Sequence, residues 1–336
     1  MGDPRGPLFD RADLIAGSQI GAWNQDGGPV RTNPTARANA TSAGIRVVRC
    51  QMWGNPLKGH QTLTEWSQVL GVIGDIGAIP LVGLPPNSGR QIAGGVDPWS
   101  YEWQQWLVRH SAGQGAMLFE MGNEPNNRNY GAFTPQAYFD TLWSNVPRLK
   151  RYARSLGRQI FVGGPAWMNW AAARNVSEVE NFLALCKQAY TADGNDPDWI
   201  PDFVTCHGYG GHNGVTAAMA TFAAHWDQLR SWLNANMPDG SRIKMADSEY
   251  NYAIQSVGGT SYLDQAFMDS YYDARFAMAR GQAPDGSQRL WMAIQFTICS
   301  HGGGMLDLLN GDGTIRAPHV AFARNCLAIP RGDGPV

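Results

Sequence analysis

Two short runs place carboxylates where an apolar stretch ends: Phe119-Glu120-Met121-Gly122-Asn123-Glu124-Pro125-Asn126 and Met245-Ala246-Asp247-Ser248-Glu249-Tyr250-Asn251. A single Glu in such a place has an ordinary explanation, as a helix cap or a solvated side chain. Two of them facing each other across one cleft have a chemistry. A protonated carboxyl can assist a departing oxygen while an ionised one attacks the carbon it leaves, which is what glycoside hydrolysis requires. Burial and mutual repulsion separate the two pKa values, so one site supplies both acid and base.

The elements that must hold these groups read as a repeating pattern. Apolar strand candidates fall at 18–23, 45–50, 78–84, 116–122, 159–164, 203–207, 242–247 and 290–298, with Glu124 just past the fourth and Glu249 just past the seventh. Each is followed by a segment that can be helical. Thr62 to Gly77 opens with Thr62 and Glu65 in capping-box spacing, and Ser177 to Ala192 opens with Ser177 and Glu180 in the same way. Further helices are expected over 134–156, 217–237 and 261–280, the last with apolar or aromatic residues at helical spacing. Strands alternating with helices predict a parallel sheet. Eight units over 336 residues close most naturally as an α/β fold of the (β/α)8 TIM barrel type. The rival is a doubly wound open sheet, but no strand leads into a glycine-rich phosphate loop. With no linker or low-complexity tract, residues 1–336 are expected to form a single catalytic barrel domain, its strands over roughly 18–298 and a closing helix to about 328.

The run Phe119 to Asn126 resembles the F-E-x-W-N-E-P-N signature of clan A retaining glycoside hydrolases, in particular the β-xylosidase and α-L-iduronidase type. The resemblance implies that Glu124 is the acid/base, that Asn123 holds the sugar 2-hydroxyl, and that Glu249 in SEYN is the nucleophile. Arg49 in VVRCQMW resembles the strand-two arginine, FVGGPAW the strand-five turn, and His207 and Tyr209 in CHGYG the strand-six His-x-Tyr. The tail GGMLDLLNGDGTIRAPHVAF resembles the end of those barrels. The likeness spans roughly residues 18 to 322, as pattern only between the motifs.

Physical chemistry gives these residues compatible roles. Tyr209 could donate its hydroxyl to Glu249 and keep it ionised. Arg49 could pair with Glu249 or with Glu120, and Glu120, counted by twos from Glu124, reads as a barrel-core salt-bridge partner. His207 is either a hydrogen-bonded core histidine or an orienting group at the substrate. Trp66, Trp103, Trp106, Trp226 and Trp232 belong to helices packing on the barrel wall. Trp23, Trp53 and Trp167 follow strands one, two and five and are candidates for stacking on sugar rings. Tyr250 and Asn251 flank the nucleophile as substrate-side residues.

Two departures from the family pattern stand out. Gln295, in Met292-Ala293-Ile294-Gln295-Phe296, occupies the place of a late strand-eight Trp, which would replace stacking by hydrogen bonding. Gly122 stands where the signature has Trp and would open space beneath the acid/base. No run of closely spaced strands, as a β-sandwich would need, follows the eighth, which weakens any transfer of the xylosidase specificity.

Composition narrows the classes. Hydrophobic residues make up 43% and charged residues 16%, with 13 Trp, 12 Phe and 11 Tyr, which is a globular rather than a disordered chain. The 26 basic residues are balanced by 28 acidic ones without a dense run, so no nucleic-acid partner is expected. The most apolar region, 70–86, is broken by Asp75 and several Gly and Pro, so no membrane span is expected. Cys50, Cys186, Cys206, Cys299 and Cys326 are widely spaced and odd in number, which argues for buried free thiols over disulfides or a zinc site. No metal or organic cofactor is expected. The expected partner is a poly- or oligosaccharide, and the sequence is silent on oligomeric state. The N-terminus carries no apolar signal core, so the expectation is a secreted mature form whose signal was removed, with a cytoplasmic protein as alternative.

Rival functions come from other classes. They are a non-catalytic carbohydrate-binding barrel, a metal-dependent hydrolase using His207, His212 and Asp247, and an arabinofuranosidase or uronic-acid-specific glycosidase in which Arg90 or Arg128 meets a carboxylate.

Overall fold

The computed structural model describes residues 3–20, 27–52, 62–84, 101–128, 131–210, 214–252, 264–300 and 306–332. Eight parallel strands close into a barrel in sequence order, with the first hydrogen-bonded to the last. They are β1 (Gly17–Gln19), β2 (Val47–Gln51), β3 (Ile79–Leu84), β4 (Leu118–Met121), β5 (Phe161–Trp167), β6 (Phe203–Gly210), β7 (Lys244–Tyr252) and β8 (Met292–Gln295). The helices are α1 (Gly28–Thr32), α2 (Pro34–Ser42), α3 (Leu63–Asp75), α4 (Tyr101–Gly113), α5 (Pro135–Thr141), α6 (Val146–Ser155), α7 (Ala173–Ala192), α8 (Val215–Asn236), α9 (Gln265–Arg280) and α10 (Ala317–Leu327). The barrel expectation is met by the closed strand order, and every strand expected from the apolar runs overlaps an observed one.

The helix boundaries follow local chemistry. Thr62 caps α3: its Oγ1 accepts from the Glu65 amide at 3.1 Å, while the Glu65 carboxylate accepts from the Thr62 amide at 2.9 Å. The expected Ser177 cap is corrected. Helix α7 begins four residues earlier, at Ala173, so Ser177 lies inside it, and Ala172 precedes it without a side-chain cap. The expected continuous helix over 134–156 is also corrected. It divides into α5 and α6 around a short 3-10 turn at Trp143–Asn145, with Pro147 in the first turn of α6, where a missing N–H costs nothing.

Two apolar layers result. Outward-facing strand residues and the helices form one continuous core that includes Val48, Val82, Phe119, Trp66, Trp226 and Phe322, with Trp106 and Trp232 packed against it. Trp103 is buried among the helices as well. A second core fills the lower barrel interior with Val47, Leu81, Leu118, Phe161, Phe203, Met292 and Ile294. Phe9 closes its floor, stacked on Trp291 at 4.7 Å and edge-on to Phe161 at 4.6 Å. All five cysteines are free and buried, as their apolar surroundings in sequence imply. Among the described residues, no helix is long and apolar enough to cross a membrane.

Candidate active site

Alternation along a strand sends every second side chain into the barrel, and at the C-terminal ends of the strands those side chains become polar. Arg49, two residues beyond Val47 on β2, is fully buried and organises the mouth. Its Nε donates to Glu120 Oε2 at 2.7 Å, and Nη1 donates to Glu249 Oε2 at 2.9 Å and Gln19 Oε1 at 2.8 Å. Its Nη2 donates to Asn123 Oδ1 at 2.6 Å, an oxygen that also accepts from Gln51 Nε2 at 3.1 Å. Two donors on that oxygen fix the Asn123 amide, leaving its Nδ2 as the group able to donate to a ligand. The alternatives of Glu120 or Glu249 as the partner of Arg49 are both realised. Their negative charge, opposing the cost of burial, raises the Arg49 guanidinium above its ordinary pKa.

Glu249 is held from its other oxygen by Tyr209, whose hydroxyl donates to Oε1 at 2.5 Å. Burial first, and then the Glu249 charge, push the Tyr209 phenol well above its usual value, so it stays protonated and donates. Glu124 lies across from Glu249. His207 Nδ1 is 3.0 Å from Glu124 Oε1 and 3.7 Å from Glu249 Oε2, and Asn127 Nδ2 donates to Glu124 Oε2 at 2.9 Å. His207 therefore orients the carboxylates, and its Nε2 has no hydrogen-bond partner among the described residues. Burial pushes the Glu124 carboxyl up, but the His207 hydrogen bond and charge, helped by Asn127 and Arg49, outweigh it. The net result lies below the usual carboxylate range.

The backbone takes an uncommon path to place Glu124. Its φ is 47°, in the left-handed region, and its amide donates to Ala166 O at 3.0 Å, where Ala166 is itself at φ 56°. Such conformations cost about 1–3 kcal/mol each for residues with a side chain and concentrate at working sites. Gly122 sits at φ 93°, and a Cβ there would meet the Tyr138 ring at 3.3 Å and Leu142 at 3.7 Å. The space expected beneath the acid/base is thus filled by α5.

Other expectations are corrected by strand direction. Trp167 is fully buried on the helix side, edge-on to Tyr138 at 5.9 Å, with its indole N–H donating to Glu178 at 2.6 Å. It has no face for a sugar. Tyr250 points away from the mouth into the helix layer, because Glu249 takes the inward position beside it. Gln295 also faces outward, accepting from Ser18 Oγ at 2.8 Å and donating to Leu306 O at 3.0 Å. The inward residue late in this stretch is Phe296, in register with Met292 and Ile294 by twos, and its ring lies 6.4 Å from that of Tyr209. An aromatic group is therefore present at the mouth, one residue beyond the position assigned from sequence. Asn251 reaches the Phe296 and Leu306 carbonyls, which ties β7 to the segment after β8.

Gln19 and Gln51 belong to the site and carry no motif. Counting by twos from Arg49 would have found Gln51, whereas Gln19 lies on a three-residue strand with too little pattern to read. Trp23, Trp53, Arg90 and His212 lie outside the described residues. Arg128 is exposed in the loop after β4. Asp247, of the rival metal set, faces the helix layer and pairs with Arg275, whereas His207 faces Glu124 in the mouth. Among the described residues, Glu124, His207 and Glu249 are the one group close enough to share a cation, each offering one atom within 4.8 Å of the others. The guanidinium of Arg49 already occupies the Glu249 oxygen nearest His207, so a metal ion would compete with a fixed positive charge.

No family model matches the sequence, and no curated protein sequence does. Solved structures do. A monomeric β-xylosidase from Caulobacter crescentus CB15 superposes with a TM-score of 0.64 at 17% identity, covering 94% of this chain and 68% of that one. The GH39 enzyme from Xanthomonas axonopodis pv. citri gives 0.65 at 17% identity, covering 95% and 67%. A GH5 xyloglucan-specific β-1,4-glucanase from a ruminal metagenomic library, in complex with XXLG, gives 0.60 at 13% identity and covers 94% of both chains. At these identities the likeness is one of architecture, and this chain shares the (β/α)8 barrel of those enzymes.

Proposed function

We propose that this chain is a retaining glycoside hydrolase acting on a poly- or oligosaccharide, in one catalytic barrel domain, with Glu249 as nucleophile and Glu124 as acid/base. The observation that carries the reading is the pairing at the mouth. An oxygen of Glu124 lies within 4.8 Å of one of Glu249, with Arg49 and Tyr209 on Glu249 and His207 and Asn127 on Glu124. That approach supports direct attack, for which carboxyls stand about 5–5.5 Å apart. The enzymes that share the barrel, named as a xylosidase and a xyloglucan-specific glucanase, act on glycans and support the same substrate class.

In the reaction, Glu249, oriented by its hydrogen bonds from Arg49 and Tyr209, attacks the anomeric carbon. The glycosidic bond breaks as Glu124 gives its proton to the leaving oxygen. Glu124, now a carboxylate, takes a proton from water, whose oxygen attacks the same carbon, expels Glu249 and leaves the sugar with its original configuration. Asn123, whose Oδ1 is taken by Arg49 and Gln51, donates from Nδ2 to the sugar hydroxyl beside the reacting carbon, and a ring rests against Phe296.

Purified protein is tested against a panel of polysaccharides and aryl glycosides, with Glu249→Ala alongside. The native protein is expected to release sugar whose first-formed anomer, read by NMR, is retained. The variant should be folded and slower by about four orders of magnitude. An inverted first product, or near-native turnover in the variant, overturns the assignment.

A further inference from the structure

Strand β7 carries an extra residue at the point where the nucleophile leaves it. Cys206 pairs with Asp247 and His207 with Glu249, so one residue on β6 spans two on β7. On the other side, Asp247 pairs with Ala293 and Tyr250 with Gln295, which again leaves β7 one residue long. Ala246 points into the barrel core. Regular alternation from Ala246 would turn Ser248 and Tyr250 inward and send Glu249 out to the helices. The bulge at Ser248 reverses the alternation and puts Glu249 beside Arg49.

A buried ion pair lies beside the bulge, on the helix side of the barrel wall. Asp247 is fully buried, and its Oδ1 accepts from the Gly208 amide of β6 at 3.0 Å. Its Oδ2 pairs with Nη2 of Arg275 from α9, also fully buried. The guanidinium lies between the Tyr250 ring at 4.3 Å and the Phe222 ring of α8 at 5.1 Å. A Cβ on Gly208 would fall 2.3 Å from Asp247 Oδ2 and 3.0 Å from Arg275 Nη2, so the pair needs glycine there. Arg275 Nε and Nη1 have no hydrogen-bond partner among the described residues. So dry a pair contributes little net stability, because desolvation offsets attraction. A charge pair of this kind acts through direction and register.

We propose that Arg275 and Asp247, seated on Gly208, are positioning residues for the reaction: from the helix side of the wall they pin the β7 bulge that turns Glu249 into the mouth. Asp247 is held outward by the ion pair, Tyr250 is held outward under the guanidinium, and Glu249 between them has only the inward direction left. The Gly208 amide bond couples the same anchor to His207, the preceding residue on β6. The inference rests on the assignment of Glu249 as nucleophile.

The test uses Asp247→Asn, the charge-neutral pair Asp247→Asn with Arg275→Met, and Gly208→Ala, which keeps both charges and crowds them apart. Arg289→Gln, which removes the Arg289–Asp227 ion pair of the helix layer, is the control. Each protein is treated with 2,4-dinitrophenyl 2-deoxy-2-fluoroglycosides of xylose, glucose and galactose in both anomers. The rate of dinitrophenolate release and the labelled peptide are recorded. The native protein and the control should be labelled on Glu249 at one rate. The anchor variants should label at least tenfold more slowly at saturation, with half-saturating concentrations within threefold, since approach of the nucleophile suffers and binding does not. Crystal structures of the same variants should show the Glu249 carboxylate off Arg49 and Tyr209. A folded anchor variant that labels at the native rate, or keeps Glu249 on Arg49 and Tyr209, overturns the proposal. If the native protein is labelled at a residue other than Glu249 while the variants still show that side chain displaced, the nucleophile assignment fails and the positioning role stands; if it takes no label from these sugars, the crystal structures alone decide the positioning role. If the charge variants do not fold, Gly208→Ala decides by the same two readouts.

Discussion

The barrel interior changes character halfway along its own strands. On β2, Val47 is followed by Arg49; on β4, Leu118 by Glu120; on β6, Phe203 by Thr205 and His207. The lower residues join an apolar core closed by Phe9, while Arg49, Glu120 and His207 above them join the polar network of the mouth and Thr205 accepts from the Ala166 amide. Alternation decides only that a side chain points inward. Height along the strand decides what it must do there. In the floor, apolar contacts add up with little regard to direction. In the mouth, buried polar groups are tolerated only when each is met by another, so the network specifies geometry. Damage to the floor should therefore reach activity only through stability, and damage to the mouth should reach both.

The largest effect is expected at the centre of the mouth. Arg49→Leu removes the cation shared by Glu120, Glu249 and Asn123 and leaves Glu120 buried without its partner. Breaking a buried pair from one side costs about 3–5 kcal/mol of stability. Loss of the group that orients Glu249 should lower kcat by about a hundredfold to a thousandfold as well. Denaturant unfolding and steady-state rates measured on one preparation check both. A variant that kept its rate would remove Arg49 from the catalytic account.

Next comes the floor. Phe9→Ala empties the space against Trp291 and Phe161 and should cost about 3–5 kcal/mol. Below its lowered melting temperature, kcat and KM should be those of the native protein. A change in KM in the fully folded variant would show that floor and mouth are coupled, which the comparison denies.

The two halves were not equally legible in the sequence. The floor and the strands were, since an apolar run of four to eight residues bounded by turns has few other readings. Arg49, Asn123, Glu124, His207, Tyr209 and Glu249 were legible because a motif held them at strand ends. What failed was direction wherever a strand is short or irregular. The strand-eight pattern points to Gln295, one residue short of Phe296, because β8 is only four residues long. Tyr250 and Trp167 sit beside bulges in β7 and β5 that reverse the alternation, and bulges leave no apolar signature. Ser177 at capping-box spacing was overridden by a helix that continues upstream through Ala173.

The smallest effect tests the mouth's electrostatics without breaking it. Burial pushes Glu124 up, but His207, Asn127 and Arg49 together outweigh it, so the free site favours ionised Glu124 and the acid form fills only as pH falls. For a group that must be protonated to react, this places the basic limb of kcat/KM on the acid side of neutrality. His207→Leu removes the chief lowering influence and leaves burial opposed only by Asn127 and Arg49. The carboxyl then keeps its proton to higher pH, and the basic limb must move upward. The Arg49 and Tyr209 bonds to Glu249 remain in this variant. Profiles of kcat/KM between pH 3 and 9 for both proteins check the sign. A basic limb that stayed in place would assign it to a group other than Glu124, and a downward shift would mean that His207 acts on the acid by packing and not by its charge and hydrogen bond.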